Sequence, residues 1–398
     1  MKLRKLITLI ILSGLLLNAA AQEEKKQITL EDIWESGKFN PKGIYGLVSM
    51  NDGIHYTVKE MDSINQYRYS DGKLVQTILH DGLLIPEGAE KPVRFFSYTF
   101  SSDESKILIP TEIERIYRHS TQSFYYVYDR TNNKLTPLSN GGKQRLADFS
   151  PDGTKVAFVR DNNLFMVDLL TGTEIQITFD GLEENIINGT TDWVYEEEFA
   201  IVKGFYWSPD SKKIAFMRFD ESKVKEFWMV NYGELYPDHH KFKYPKAGED
   251  NSVVTIHIYN VSDGSIINVD TGKETDIYLP RMHWTTDPST LAIQRLNRHQ
   301  NYLEILFADA TTGKSKVIYE EHNKYYIDIT NDFTFLSNKQ HFLITSEKSG
   351  FNHIYLYDIN GKMIRPITSG NWDVTSLYGI DPKNDRIYYQ AAKVSPMD

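Results

Sequence analysis

Three consecutive glutamates, Glu196 to Glu198, follow a Trp-Val-Tyr cluster in the stretch "GTTDWVYEEEF". One interpretation is a short helix capped by Thr191 or Asp192, with the glutamates in its first turns near the positive end of the helix dipole. The other is a half-buried cation site. Although adjacent helical residues diverge by about 100°, two neighbouring carboxylates can still reach one ammonium group. The residues alone leave both interpretations open.

The composition excludes several classes of function. The chain has 398 residues, a formal net charge of −10 and no cysteine. An acidic chain without a basic stripe is not expected to bind nucleic acid. Without cysteine, disulfides, thiolate metal sites and a lipoprotein anchor are excluded. His239 and His240 are adjacent and no HExxH motif is present, so we expect neither a metal nor a cofactor.

Residues 1–21 have the pattern of a signal peptide. A basic start, an apolar core and a small-residue cleavage site follow one another at residues 2–5, 6–17 and 19–21. An uncleaved anchor is the alternative, but the apolar run is too short to favour a membrane span. We therefore expect export to the periplasm or the extracellular space, with no membrane span after signal cleavage.

Short repeats with one order of turns and strands run through the chain. "FSSDESKILI", "FSPDGTKVAF" and "WSPDSKKIAF" share a Ser-x-Asp turn followed by an apolar strand. Residues 336–370 follow the same pattern, another copy begins at residue 381, and a looser copy spans residues 287–319. A period of roughly 40–50 residues with short alternating strands predicts an all-β fold, a β-propeller with four-stranded antiparallel blades. A solenoid and a pair of β-sandwiches are the alternatives. Two stretches favour short helices, "LEDIWESGKF" and the glutamate segment.

Three motifs in order carry a resemblance to a known family. "DWVYEEEF" is followed by "YWSPDS" and then by "YPKAGEDN" at residues 244–251. They resemble the N-terminal domain of dipeptidyl peptidase IV in the prolyl oligopeptidase family, and the similarity runs from about Leu30 to the end of the chain. The resemblance implies an eight-bladed propeller, incomplete in this chain, that caps an α/β-hydrolase domain. It also implies an exported serine-type peptidase that releases X-Pro or X-Ala dipeptides.

The same resemblance assigns substrate-binding roles to particular residues. Glu197 and Glu198 would hold the free α-ammonium group of the substrate, with Glu196 beside them. Arg118, in "YRHS", would donate hydrogen bonds to the carbonyl of the first substrate residue and help to hold the glutamate pair. Tyr326, in "YYIDIT", would line the outer subsite.

An insertion rich in tyrosine, proline and charge spans residues 231–250. In the relatives an arm at this place helps to build a homodimer, so the resemblance implies an interface. The alternative is a plain long hairpin. The expected partners are a peptide or protein substrate with a free N-terminus and a second copy of the chain.

Residues 22–398 are interpreted as one propeller domain, truncated in its last blades. The nucleophile of the family lies in a Gly-x-Ser-x-Gly turn, and the 398 residues do not contain that motif. The resemblance therefore implies that the α/β-hydrolase domain is missing and that no residue of this chain is catalytic. The alternative function is a stand-alone secreted propeller that binds peptide N-termini or a protein partner without cleaving them.

Overall fold

The computed structural model describes residues 27–41 and 43–395. The predicted signal peptide at residues 1–21 lies outside the described residues. The chain divides into two compact units, residues 1–48 and 49–398.

The described part of the first unit contains one short helix, α1, at Leu30–Trp34. Thr29 caps it, because the backbone N–H of Asp32 donates to the Thr29 hydroxyl at 3.1 Å. The Asp32 carboxylate in turn accepts from the backbone N–H of Thr29 at 3.4 Å, which completes a capping box. The helix predicted for "LEDIWESGKF" is therefore confirmed over its first half.

The strands form successive antiparallel sheets in chain order. The first sheet contains β1 Val48–Ser49, β2 His55–Glu60, β3 Ser63–Arg68 and β4 Leu74–His80; a 3₁₀ turn at Asp81–Leu83 follows. The second contains β5 Thr99–Phe100, β6 Lys106–Arg115, β7 Thr121–Asp129 and β8 Lys134–Pro137. The third contains β9 Arg145–Phe149, β10 Lys155–Arg160, β11 Asn163–Asp168 and β12 Glu174–Gln176.

The fourth sheet has five strands and carries a separate hairpin. Its strands are β13 Ile186–Asn188, β14 Phe205–Trp207, β15 Lys213–Asp220, β18 Val253–Asn260 and β19 Ile266–Asn268; the hairpin is β16 Glu226–Asn231 and β17 Asp238–Lys243. The fifth sheet contains β20 Ile277–Trp284, β21 Thr290–Asn297, β22 Tyr302–Asp309 and β23 Ser315–His322. The sixth contains β24 Thr334–Phe335, β25 His341–Ser346, β26 His353–Asp358 and β27 Met363–Pro366, and β28 Val374–Asp381 pairs with β29 Arg386–Ala391. The predicted all-β class with four-stranded antiparallel blades is confirmed.

The repeated Ser-x-Asp sequence forms the same turn before the second strand of three sheets. In each turn the serine hydroxyl donates to the aspartate two residues later and accepts the backbone N–H of the lysine that begins the next strand. The two distances are 2.6 and 3.0 Å for Ser101, Asp103 and Lys106, 2.6 and 3.0 Å for Ser150, Asp152 and Lys155, and 2.7 and 2.9 Å for Ser208, Asp210 and Lys213. Local side-chain bonds of this kind explain why the motif recurs.

The buried apolar clusters lie between consecutive sheets. Ile64 packs with Ile107, Leu108 with Phe158, Ala157 with Phe205, and Leu343 with Val374. The largest cluster joins the fourth, fifth and sixth sheets and contains Phe219, Ile293 and Phe342. Consecutive sheets therefore bury apolar faces against each other, as blades of a propeller must.

The first strand of the fourth sheet is interrupted. β13 pairs with residues 218–220 of β15, and β14 pairs with residues 214–216 of the same strand. The Gly189 N–H donates to the carbonyl of Met217 at 2.9 Å, and the Met217 N–H donates to the carbonyl of Gly204 at 2.7 Å. The chain thus leaves the sheet at Gly189 and returns at Gly204, and the segment between them carries the glutamates.

Both glycines are required by the geometry of this exit. Gly189 has a φ of +76°, and a Cβ there would lie 3.1 Å from side-chain atoms of Leu164 and Val159. A Cβ on Gly204 would lie 3.0 Å from the carbonyl oxygen of Thr190. Gly189 therefore lets the chain lie close to the third sheet, and Gly204 lets the returning end lie close to Thr190 at the start of the segment.

The insertion predicted at residues 231–250 belongs to the hairpin of β16 and β17, which begins earlier, at Glu226, and ends at Lys243. Trp228, Leu235 and Tyr236 are exposed on it. This hairpin, residues 226–243, is termed the arm below.

Candidate functional site

Helix α2 spans Trp193–Glu198, and Asp192 is its N-cap. The Asp192 carboxylate accepts the backbone N–H of Tyr195 at 2.9 Å and the hydroxyl of Ser252 at 2.6 Å. Burial raises the pKa of Asp192, and the two hydrogen bonds act in the opposite direction. Of the two caps that the sequence allows, the structure uses Asp192 rather than Thr191.

One face of α2 is fixed in the largest apolar cluster. Tyr195 is buried there, with its ring 4.9 Å from that of Phe219 in an edge-on arrangement. Its hydroxyl accepts the backbone N–H of Leu279 at 2.8 Å. Phe199, at the end of the helix, packs against Tyr278 with ring centres 5.0 Å apart. The aromatic residues that flank the glutamates thus anchor the helix.

Glu196 is the inward-facing member of the triplet. It is fully buried, at 0% exposure. Its Oε1 atom accepts the backbone N–H groups of His119 and Ser120 at 2.7 and 2.9 Å. Its Oε2 atom is buried and has no hydrogen-bond partner among the described residues. The structure therefore places Glu196 against the backbone of the loop that contains Arg118.

Glu197 faces Arg118 across the surface of the site. The Nε atom of Arg118 lies 3.4 Å from Oε2 of Glu197, with the arginine side chain 73% exposed and the glutamate side chain 13% exposed. Because the arginine is largely exposed to solvent, the pair contributes little to folding stability. The pair places the guanidinium group beside the helix.

Glu198 is exposed and lines a cavity of about 680 Å³ together with Tyr326 and Trp193. Among the described residues, none forms an ion pair with Glu198. The Tyr326 hydroxyl donates to Gln300 at 3.2 Å. The pKa of Tyr326 is raised mainly by burial, with Asp328 and Glu198 adding to the effect. The structure thus brings Glu198 and Tyr326 to one cavity, and Arg118 to Glu197.

A second cavity, of about 630 Å³, shares Trp193 with the first and contains titratable residues that sequence reasoning missed. Arg145 has a buried Nε atom and Glu184 a buried Oε2 atom, each without a hydrogen-bond partner among the described residues. Glu221 is 5% exposed, and burial, followed by Asp192 and Glu184, raises its pKa to about 8. The sequence around Arg145, Glu184 and Glu221 has no motif that distinguishes them from ordinary charged residues at strand ends.

One group outside the site has ligand atoms close enough to hold a cation. Atoms of Asp62, His80 and Asp81 lie within 4.8 Å of one another at the surface. Both ring nitrogens of His80 already face carboxylates at 3.2 Å, so the group forms a surface charge network. The sequence had not indicated it.

The fold and the site define an all-β propeller domain with an acidic helix inserted at the edge of one blade. The chain belongs to the family described as the dipeptidyl peptidase IV (DPP IV) N-terminal region, whose model matches residues 101–398. The predicted family and fold are confirmed.

Solved structures and curated relatives extend this match. The chain is 42% identical to Porphyromonas gingivalis dipeptidyl peptidase 4, with a TM-score of 0.86 over 93% of this chain and 53% of that one. It is 25% identical to a putative dipeptidyl aminopeptidase IV of Bacteroides ovatus, with a TM-score of 0.68 over 88% of this chain and 50% of that one. A probable dipeptidyl peptidase 4 of Emericella nidulans is 29% identical over 92% of this chain and 49% of the relative.

The chain spans about half the length of the relatives it matches. Within the described ranges, no helix has the length and apolar character needed to span a bilayer.

The buried Glu221 predicts a pH dependence of stability. A carboxyl group whose pKa rises from 4.5 to about 8 on folding takes up a proton, so the free energy of unfolding falls as the pH rises between these values. We predict that Glu221→Gln becomes more stable than the wild type across this range, by up to about 1.4 kcal/mol per pH unit. Urea denaturation at about pH 5, 6.5 and 8 measures this difference.

Glu90→Gln is the matched control, because Glu90 is exposed and its substitution should leave the pH profile unchanged. A stability difference between Glu221→Gln and wild type that stays constant from about pH 5 to 8 contradicts the buried-acid interpretation.

Proposed function

We propose that this chain is the substrate-recognising and gating propeller of an exported serine-type dipeptidyl peptidase that releases X-Pro and X-Ala dipeptides. The observation that carries the proposal is the arrangement of Glu197 and Glu198. They are adjacent on one anchored helix, the first beside Arg118 and the second at an open cavity. The names of the relatives support the peptidase class.

The charge balance of the site favours an ammonium ligand. Glu197 faces an exposed arginine at 3.4 Å, and no ion pair of Glu198 occurs among the described residues. Glu197 and Glu198 carry two negative charges against the one positive charge of Arg118, so these three side chains together have a net negative charge. A substrate α-ammonium group, with its three N–H donors, would supply the missing positive charge through charge-assisted hydrogen bonds.

Arg118 would then bind the carbonyl of the first substrate residue. Its side chain is largely exposed, so guanidinium N–H groups remain free to donate while Nε faces Glu197. Holding the amino group and the first carbonyl fixes where the second peptide bond lies. Such placement accelerates cleavage of that bond, because it brings only the second peptide bond to a nucleophile.

We further propose that the nucleophile comes from a hydrolase domain outside the 398 residues, and that the protein is exported to the periplasm or beyond the cell. The basic, apolar and small-residue order of residues 1–21 supports export.

We predict that Glu197→Ala in the complete enzyme lowers kcat/KM by the equivalent of roughly 3–5 kcal/mol, because a desolvated ammonium group loses a charged partner. This corresponds to a loss of roughly 10²- to 10⁴-fold. Steady-state hydrolysis of an X-Pro chromogenic substrate measures the change. Glu90→Ala, at an exposed position far along the chain, is the control. A kcat/KM within about threefold of wild type would contradict the role of Glu197 in binding the substrate ammonium group.

We also propose that the arm and the rest of residues 231–250 form a homodimer interface. Tyr232, Leu235 and Tyr236 are 78%, 90% and 83% exposed at its tip. Neighbouring apolar side chains with such exposure are typical of association surfaces. A second copy of the chain is the occupant, as in the arms of the relatives that the sequence resembles.

For the arm we predict that Leu235→Asp combined with Tyr236→Asp converts a dimer to a monomer. Light scattering coupled to size exclusion measures the mass. Leu170→Asp is the control, since Leu170 is 93% exposed but lies in the turn between β11 and β12, outside the arm. A monomeric wild type, or a double variant that keeps the dimer mass, contradicts the interface.

A further inference from the structure

We propose that Glu196 is a positioning residue and not a substrate ligand: its buried carboxylate ties the Arg118 loop to α2 and thereby sets Arg118 beside Glu197. Arg145 supplies positive charge near that buried carboxylate. The expected effect on substrate binding rests on the proposed function. The contact between Glu196 and the Arg118 loop does not depend on that function.

The contacts of Glu196 are to backbone, on both residues that follow Arg118. His119 and Ser120 donate their N–H groups to one oxygen, at 2.7 and 2.9 Å, over separations of 77 and 76 residues. The side chain is fully buried, whereas the Glu197 side chain is 13% exposed and Glu198 is exposed at the cavity. A substrate in that cavity therefore meets Glu198, while Glu196 is held away from it.

The Arg118 loop has internal hydrogen bonds and one aromatic contact with the arm, between Tyr117 and Phe242 with ring centres 6.2 Å apart. It connects β6 and β7, and it is closed by the N–H of Ile116 donating to the carbonyl of Ser120 at 2.9 Å. The N–H of Tyr117 also donates to the Ser120 hydroxyl, at 3.1 Å. These bonds fix the loop internally. The two bonds to Glu196, together with the ion pair between Arg118 and Glu197, connect it to α2.

A carboxylate suits this position better than a neutral acceptor. A charged oxygen that accepts two N–H groups forms stronger hydrogen bonds than an amide oxygen. The charge is costly to bury unless a cation is near. Glu196 raises the pKa of Arg145, whereas burial lowers it by a larger amount. Arg145 thus lies within electrostatic range of Glu196 without forming an ion pair with it.

A double-mutant cycle separates positioning from general support of the helix. The probe is alanyl-proline amide, titrated calorimetrically into this chain and into the Arg118→Ala, Glu196→Leu and double variants. We expect Arg118→Ala to weaken binding at least about tenfold in the wild-type background and less than about twofold in the Glu196→Leu background. Additive effects of the two substitutions overturn the proposal.

The conservative variant Glu196→Gln provides a rescue. Its amide oxygen can still accept the two N–H groups, so we expect binding within about fivefold of wild type and a retained effect of Arg118→Ala. A Gln variant as weak as the Leu variant contradicts a role through the loop backbone.

Amide hydrogen exchange tests the same contact without a ligand. We expect the His119 and Ser120 amides to be protected in wild type and Glu196→Gln, and to exchange at least about tenfold faster in Glu196→Leu. The Thr154 and Lys155 amides, bonded to Asp152 and Ser150 in another turn, are the internal control. Equal acceleration in both turns indicates general destabilisation and overturns the proposal.

The two measurements also separate this inference from the function on which it rests. If alanyl-proline amide does not bind the wild-type chain, the proposed function fails. The exchange of His119 and Ser120 still decides whether Glu196 positions the loop.

Discussion

The pairing of β13 and β14 with the two ends of β15 is the constraint on which the site depends. Because both short strands occupy one edge of the same strand, the chain between them must leave and return at nearly one point. Gly204 makes that close approach sterically possible, because a Cβ there would lie 3.0 Å from the carbonyl oxygen of Thr190. The segment between them is consequently short, closed at its base and held at a fixed place on the fourth sheet.

Within that segment, helix geometry gives three identical side chains three environments. Successive residues turn by about 100°, so Glu196 faces the backbone of the Arg118 loop, Glu197 faces Arg118 itself, and Glu198 faces the cavity. The repulsion between adjacent carboxylates is offset by amide donors for the first and by a guanidinium group for the second. The third has no ion pair among the described residues, and we propose that it binds a ligand amine.

The sequence predicted the parts of this arrangement that are local. The Ser-x-Asp turns bond within five residues, so their recurrence predicted the four-stranded antiparallel sheets. The cap of α2 is also local, since Asp192 bonds three residues ahead. The burial of Glu196 could not be predicted, because its partners are 76 and 77 residues away. The high pKa of Glu221 likewise depends on non-local packing, and the arm began earlier than its composition indicated.

Recognition of a free amino terminus is the property on which the proposed function rests. Calorimetric titration of the wild-type chain with alanyl-proline amide and with its N-acetylated form is the decisive measurement, since the two probes differ at the amino group alone. We expect saturable binding of the free amine and at least about a hundredfold weaker binding of the acetylated form, as loss of a charge-assisted contact to two carboxylates requires. Equal affinity for the two probes would contradict recognition of the amino group by Glu197 and Glu198.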